Sequence, residues 1–205
     1  MINQTFDQFW VTAVQVATVW TSPISARTID TPGITNPTNI DKWIDSLTYQ
    51  TNVALCDENR VQTQLLYGEA VIITETKDDW AHVVIPTQPS KKDIRGYPGW
   101  VPMRQLIQVN KQDWQSEKTA AVVDDKVWLE SENGNNVLKL SFMTTLPVID
   151  VGGDRFKVNT PHGAGFLPKK SVTIFPSNKG LEKQEGDKLV KNGERYVGLD
   201  YFWVA

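Results

Sequence analysis

The 205-residue chain holds a single cysteine, two histidines and three methionines, and these scarcities narrow its chemistry. One cysteine excludes an internal disulfide framework and a four-cysteine zinc site, and it fits a reducing compartment. His82, His162 and Cys56 are widely separated and match no ligand spacing, so neither a metal nor a cofactor is expected. Positive charge is not in excess. A net charge of −3 gives no electrostatic reason to expect nucleic acid or anionic lipid as a partner. No run of about 18 apolar residues occurs, so nothing reads as a membrane span. The opening Met1-Ile2-Asn3-Gln4-Thr5-Phe6-Asp7-Gln8-Phe9-Trp10 has no basic residue ahead of its apolar stretch, and so lacks the charged start of a secretory signal. Together these absences lead us to expect a cytoplasmic protein. What is present is globular: 40% hydrophobic residues and eight tryptophans, in a length that suits one or two domains with real cores.

The chain also repeats itself. Leu65 to Ile73 aligns without gaps on Leu140 to Val148, and the same offset of 75 carries Asp79 to Asp154, Val83 to Val158 and Pro86 to Pro161. Gly99-Trp100-Val101-Pro102 matches Gly165-Phe166-Leu167-Pro168 at an offset of 66, and Val19-Trp20 matches Val127-Trp128 at 108. These offsets place insertions of 33 residues before Leu65 and nine residues after Pro86 in the first copy. Within a copy, Val71 and Ile73, then Val83 and Ile85, alternate with the period of a strand. Lys77-Asp78-Asp79 and Gly152-Gly153-Asp154 supply hairpin turns. The Gly-aromatic-x-Pro ending is typical of a small barrel, where Gly permits close backbone approach and Pro belongs at a strand end.

The first insertion reads as helical. Ile40, Trp43, Ile44 and Leu47 fall on one face, Thr38 or Asn39 suits the cap, and Asp41 suits the N-terminal end of the dipole. A second helix is expected over Thr48–Asn59, and Pro32, Gly33 and Pro37 read as an extended loop. Residues 177–188 are polar and free of aromatics, as in a linker. Leu189 to Val197 reads as a weak helix interrupted by Gly193.

Strand, hairpin and Gly-Trp-Val-Pro in this order resemble bacterial SH3-like (SH3b) domains. The fold class expected is therefore mainly β: two small SH3-like barrels, the first with a helical insertion, plus a short C-terminal helical stump. The boundaries are 1–109 for the first barrel with its insertion at about 30–63, 110–117 for a connector, 118–176 for the second barrel, and 177–205 for a linker and the start of a further domain. That last assignment rests on Gly198-Leu199-Asp200-Tyr201-Phe202-Trp203, which resembles the opening of NlpC-type cell-wall cysteine peptidases. In that family the nucleophile follows in an Asp-Cys-Ser-Gly turn. No Asp-Cys-Ser occurs here, so no catalytic residue is assigned. The expectation is a substrate-recognition or scaffold portion of a truncated murein-peptide endopeptidase. The alternative is a stand-alone module that binds cell-wall peptide or protein and was never catalytic.

Val19-Trp20-Thr21-Ser22-Pro23, Thr35-Asn36-Pro37, Gln64-Leu65-Leu66-Tyr67-Gly68-Glu69 and Gly96-Tyr97-Pro98-Gly99-Trp100-Val101-Pro102 narrow the resemblance. They point to the branch that cleaves γ-D-glutamyl-L-diamino acid bonds in recycled bacterial muropeptides. The resemblance implies that the first barrel lends a tyrosine, with acidic help, to recognise the free amine of an N-terminal L-alanine. Tyr97, on a loop stiffened by Pro98, is the expected tyrosine. Glu69 either points at the amine or faces water at a strand start. Gln62 is a further candidate; if the family's acid aligns there, this chain has lost the charge. Trp20, Trp80, Trp100 and Trp128 occupy repeat-equivalent positions and are expected in the core. Nothing in the spacing brings His82 or His162 to Cys56 as a catalytic pair. Tyr196, Leu199, Tyr201, Phe202 and Trp203 are expected either to pack badly or to dock on the second barrel, and Tyr196, Tyr201, Phe202 and Trp203 are candidates for self-association.

Overall fold

The computed structural model describes residues 7–183 and 185–198. The first seven strands are β1 (Gln8–Thr12), β2 (Val16–Trp20), β3 (Val61–Leu66), β4 (Ala70–Lys77), β5 (Trp80–Ile85), β6 (Tyr97–Pro102) and β7 (Leu106–Asn110). They form one antiparallel sheet in the order β3-β2-β6-β5-β4-β1-β7. The next seven are β8 (Lys118–Val122), β9 (Lys126–Glu130), β10 (Asn136–Ser141), β11 (Thr145–Gly152), β12 (Arg155–Thr160), β13 (Gly163–Pro168) and β14 (Val172–Pro176). Their order, β10-β9-β13-β12-β11-β8-β14, repeats the first element for element. Strand alternation buries one set of side chains in each barrel: Ala17, Val19, Leu65, Val83 and Val101 in the first, Val127, Leu129, Leu140, Val158 and Leu167 in the second.

Strand pairing corrects one register. Trp20 pairs with Trp100, and the counterpart of Trp100, Phe166, pairs with Glu130. Trp20 therefore corresponds to Glu130, at an offset of 110 rather than 108, and the insertion before β3 is 35 residues rather than 33. Trp128 is thus the counterpart of Thr18, on the outward face of β9, and is 43% exposed with Lys139 over its ring. Core burial was expected of it. The second barrel has no insertion to cover that face.

In the first barrel the insertion does cover it. Its helices are α1 (Thr31–Ile34), α2 (Ile40–Ser46) and α3 (Tyr49–Asp57). Asn39 caps α2 by accepting from the Lys42 amide at 3.0 Å, and Thr48 forms a capping box with Thr51 on α3. Trp20, Trp43, Leu55 and Val61 make a third small core, against which Trp80 and Trp100 pack partly buried. Ile44, expected on the apolar face of α2, is exposed instead. The Pro32 segment is helical, not extended: a 3-10 turn at Thr28–Asp30 runs into α1, with Pro32 inside its first turn, where its missing N–H costs nothing. Asp30, fully buried, holds Arg27 by two oxygens and accepts from the Trp43 indole at 2.9 Å.

The barrels share a side chain. Tyr67, in the turn between β3 and β4, is 1% exposed and belongs to the core of the second barrel, beside Leu146 and Leu167. Its hydroxyl is hydrogen-bonded to His162 Nδ1 at 2.9 Å, and the two rings stack with centroids 5.9 Å apart. A helical turn, α4 (Lys111–Trp114), connects the barrels. After the second barrel, α5 (Gly186–Glu194) starts earlier than the sequence suggests and runs through Gly193. Arg195 pairs with Asp125 at 2.5 Å and lies over Phe142, whose ring is 6.0 Å from that of Tyr196. Tyr196 therefore docks on the second barrel. Leu199, Tyr201, Phe202 and Trp203 lie outside the described residues.

Candidate functional site

Both insertions of the first barrel open at the same corner. The end of β2 and the start of β3 meet at the Trp20–Val61 pair, and β6 enters beside them through Trp100. The long insertion therefore returns to the sheet at Val61, next to the point where the loop holding the short one, residues 86–96, hands over to Tyr97. Gly96, at φ +147, makes that handover: a Cβ there would sit 2.0 Å from the Ile85 carbonyl oxygen.

Gln62 is the floor of this corner. It is 6% exposed, yet each end of its amide has partners. Its Nε2 donates to Asn59 Oδ1 at 2.9 Å and to Thr21 Oγ1 at 2.5 Å. Asn59, at φ +48 after α3, turns the chain so that this oxygen is presented. With both amide hydrogens spent below, Oε1 is left aimed outward. There it accepts from the Tyr97 hydroxyl at 3.3 Å and from Lys92 Nζ. Lys92 Nζ also donates to the Tyr97 oxygen at 3.2 Å and lies 4.9 Å from the Tyr97 ring centroid. Gln62 and Tyr97, proposed separately from sequence, are thus in contact.

Glu69 stands elsewhere. One carboxylate oxygen accepts from the Leu66 amide at 3.1 Å; the other accepts from Thr87 at 2.5 Å and from Gln88 Nε2 at 3.3 Å. Gln88 in turn donates to the Gln64 carbonyl at 2.8 Å and accepts from Thr63 at 2.7 Å. Glu69 therefore neither faces Tyr97 nor hangs in water; it pins the start of the short insertion to β3. At the far end of that insertion, Asp93 accepts from the Arg95 side chain at 2.7 and 3.0 Å, and these bonds hold its carboxyl at about 2. The Asp93–Arg95 pair closes a turn within the loop, directly after Lys92.

Lys92, Thr21 and Asn59 were not among the residues the sequence singled out. The only signal was positional: Lys92 lies within the short insertion. A cleft of about 620 Å³ lies elsewhere, between the barrels, walled by Gly68, Trp114, Leu146 and Pro147 with Glu69 and Glu117 at its edge. Cys56 is a partly exposed residue of α3, His82 Nδ1 is bonded to Thr74 at 2.6 Å, and His162 to Tyr67. No three histidine, cysteine or carboxylate side chains gather as a metal site among the described residues. No described helix is long and apolar enough to cross a membrane.

Comparison with known proteins agrees with this architecture. Residues 122–175 match the family model described as the YKFC SH3b2 domain. Over 92% of its length the chain is 34% identical to a γ-D-glutamyl-L-lysine dipeptidyl-peptidase of Bacillus subtilis, of which it covers 62%. Over 94% of its length it is 31% identical to the protein of that name from Bacillus cereus, covering 59%. The chain thus spans about three fifths of the length of these relatives. A crystal structure of an NlpC/P60 family protein from Bacillus cereus superposes with a TM-score of 0.88 at 32% identity, covering 96% of this chain and 66% of the other. The chain is a pair of SH3b domains homologous to the SH3b region of NlpC/P60-family γ-D-glutamyl-L-lysine dipeptidyl-peptidases.

Proposed function

We propose that this SH3b pair is the non-catalytic, substrate-recognition and scaffold part of a cell-wall peptidase acting on murein peptides with a free N-terminal L-alanine. The observation that carries the reading is the corner of the first barrel. There a buried amide oxygen and a phenol converge on a single positive charge at the surface. An acceptor pair of this kind fits a protonated amine, and the relatives are named for cutting peptides of γ-D-glutamyl-L-lysine type. Tyr97 supplies the contact, Gln62 its orientation, and Glu69 the anchoring of the loop above. The second barrel serves as support, fixed to the first through Tyr67. The reading carries with it a bacterial cytoplasmic setting and recycled muropeptides as ligands.

Two net hydrogen bonds contribute roughly 0.5–1.5 kcal/mol each, somewhat more toward a charged group. Affinity should therefore be no better than about millimolar, equivalent to about −4 kcal/mol. Titration with L-Ala-γ-D-Glu, followed by amide chemical shifts, should move signals around Gly96–Trp100. The shifts should largely vanish in Tyr97→Ala. Shifts confined to Gly163–Leu167, the matching turn of the second barrel, would assign recognition to the other barrel and end the proposal.

A further inference from the structure

The corner already holds an ammonium, its own. Lys92 Nζ reaches the Gln62 amide oxygen, the Tyr97 hydroxyl oxygen and the face of the Tyr97 ring together. These are the three kinds of group that make a cage for a primary ammonium: a carbonyl dipole, a phenol lone pair and a π face. Gln62 is buried and its NH2 group is fully engaged with Thr21 and Asn59, so its oxygen cannot turn away. We infer that Lys92 occupies the proposed amine site at the Tyr97–Gln62 corner in cis, and that a ligand amine binds by displacing this side chain. The identity of the ligand rests on the function proposed above; the occupancy by Lys92 does not.

Displacement, rather than joint binding, follows from the count of acceptors. The Gln62 oxygen is shared between Lys92 and the Tyr97 hydroxyl, while the Tyr97 oxygen gives one lone pair to Lys92 and its proton to Gln62. Both acceptors and the ring face are in use. A second ammonium would meet the first at close range with no carboxylate between them, because the nearest loop acid, Asp93, is committed to Arg95. Lys92 has the means to leave. Its side chain is largely exposed, and its hold is on neutral dipoles only. The site is therefore self-capped: a free N-terminal amine has to outcompete a tethered one, and a blocked amine has nothing to gain by trying.

Two measurements on the full chain test this separately. In the first, L-Ala-γ-D-Glu and its N-acetyl form are titrated into the wild type and Lys92→Met, with backbone amide shifts as the readout. An apparent affinity is lowered by the fraction of protein whose site is open. Lys92→Met should therefore bind the free-amine dipeptide several-fold tighter, up to about tenfold, the equivalent of 1.4 kcal/mol. The acetylated dipeptide should gain nothing. If the wild type binds the dipeptide, equal or weaker binding in Lys92→Met overturns the inference and makes Lys92 a bystander or a partner of the ligand's carboxylates. In the second measurement, a short pulse of reductive dimethylation is read lysine by lysine by mass spectrometry, with no peptide present. Lys92 should react several-fold more slowly than Lys91, and the two rates should converge in Tyr97→Ala. Equal rates in the wild type also overturn the inference. If neither protein binds the dipeptide while Lys92 is protected, the murein reading falls and the ammonium site stands.

Discussion

Truncating Tyr67 should weaken the second barrel although the residue belongs to the first. Its ring fills a space bounded by Leu146, Val158 and Leu167, and its hydroxyl is bonded to His162. Tyr67→Phe keeps the packing and removes the hydroxyl with its bonds to His162 and Thr160. Because His162 is solvent-accessible and can turn to water, the cost should stay at the low end for a hydrogen bond, about 0.5–1 kcal/mol. Tyr67→Ala opens a cavity the size of a phenol, and buried aromatic-to-alanine changes cost about 3–5 kcal/mol. Relaxation cannot close it easily. The neighbouring Gly68, at φ +81, already brings the turn so close that a Cβ would lie 2.9 Å from Leu146. With a urea slope of about 1–3 kcal/mol/M, the midpoint of the second barrel should fall by about 1–5 M. Amide signals followed through a urea series assign each transition to its barrel. In Tyr67→Ala the signals of β8 to β14 should disappear first, while those of β2, β5 and β6 keep their wild-type midpoint. Loss of the first barrel alone, or no change in either, would refute the reasoning.

Acid should act through the same contact: partial burial holds the His162 pKa below its ordinary 6.5, so the folded state prefers the neutral ring. That contribution is complete above pH 6.5 and is lost as pH falls through the depressed folded value, so the second barrel's urea midpoint should drop below pH 6.5 and His162→Gln should flatten the drop. Gly96→Ala must adopt φ +147 and drive a Cβ into the Ile85 carbonyl, which should destabilise the first barrel by more than about 1 kcal/mol. An unchanged thermal midpoint for that variant would mean that the loop entering Tyr97 rearranges freely.

The duplicated barrel was legible because its alternating apolar residues and its Gly-aromatic-x-Pro ending are local, and local patterns survive in sequence. The two-residue slip between β2 and β9 has a physical origin. Strand side chains repeat every two residues, so a shift by two preserves every inward and outward assignment and leaves pairing as the arbiter. The shared Val-Trp dipeptide then favoured the wrong register. Pro32 read as a loop because proline breaks helices in mid-run, whereas here it sits in a first turn. Tyr67 and Lys92 were illegible for a deeper reason. One is buried in a barrel 80 residues further on, and the other is placed by two insertions that adjoin only after the sheet has formed. Gln62 and Tyr97, by contrast, were each legible through the family resemblance, although their contact was not.

The common corner from which both insertions grow makes them a single evolutionary character. The helices orient Gln62 through Asn59, and the short loop supplies Lys92 and the approach to Tyr97. Neither has a purpose at that corner without the other. Lengths of the two segments should therefore co-vary across related chains, so that a sequence shedding the helices also sheds the loop. The second barrel, built on the same strand order with neither segment, is the paired absence recorded within one polypeptide.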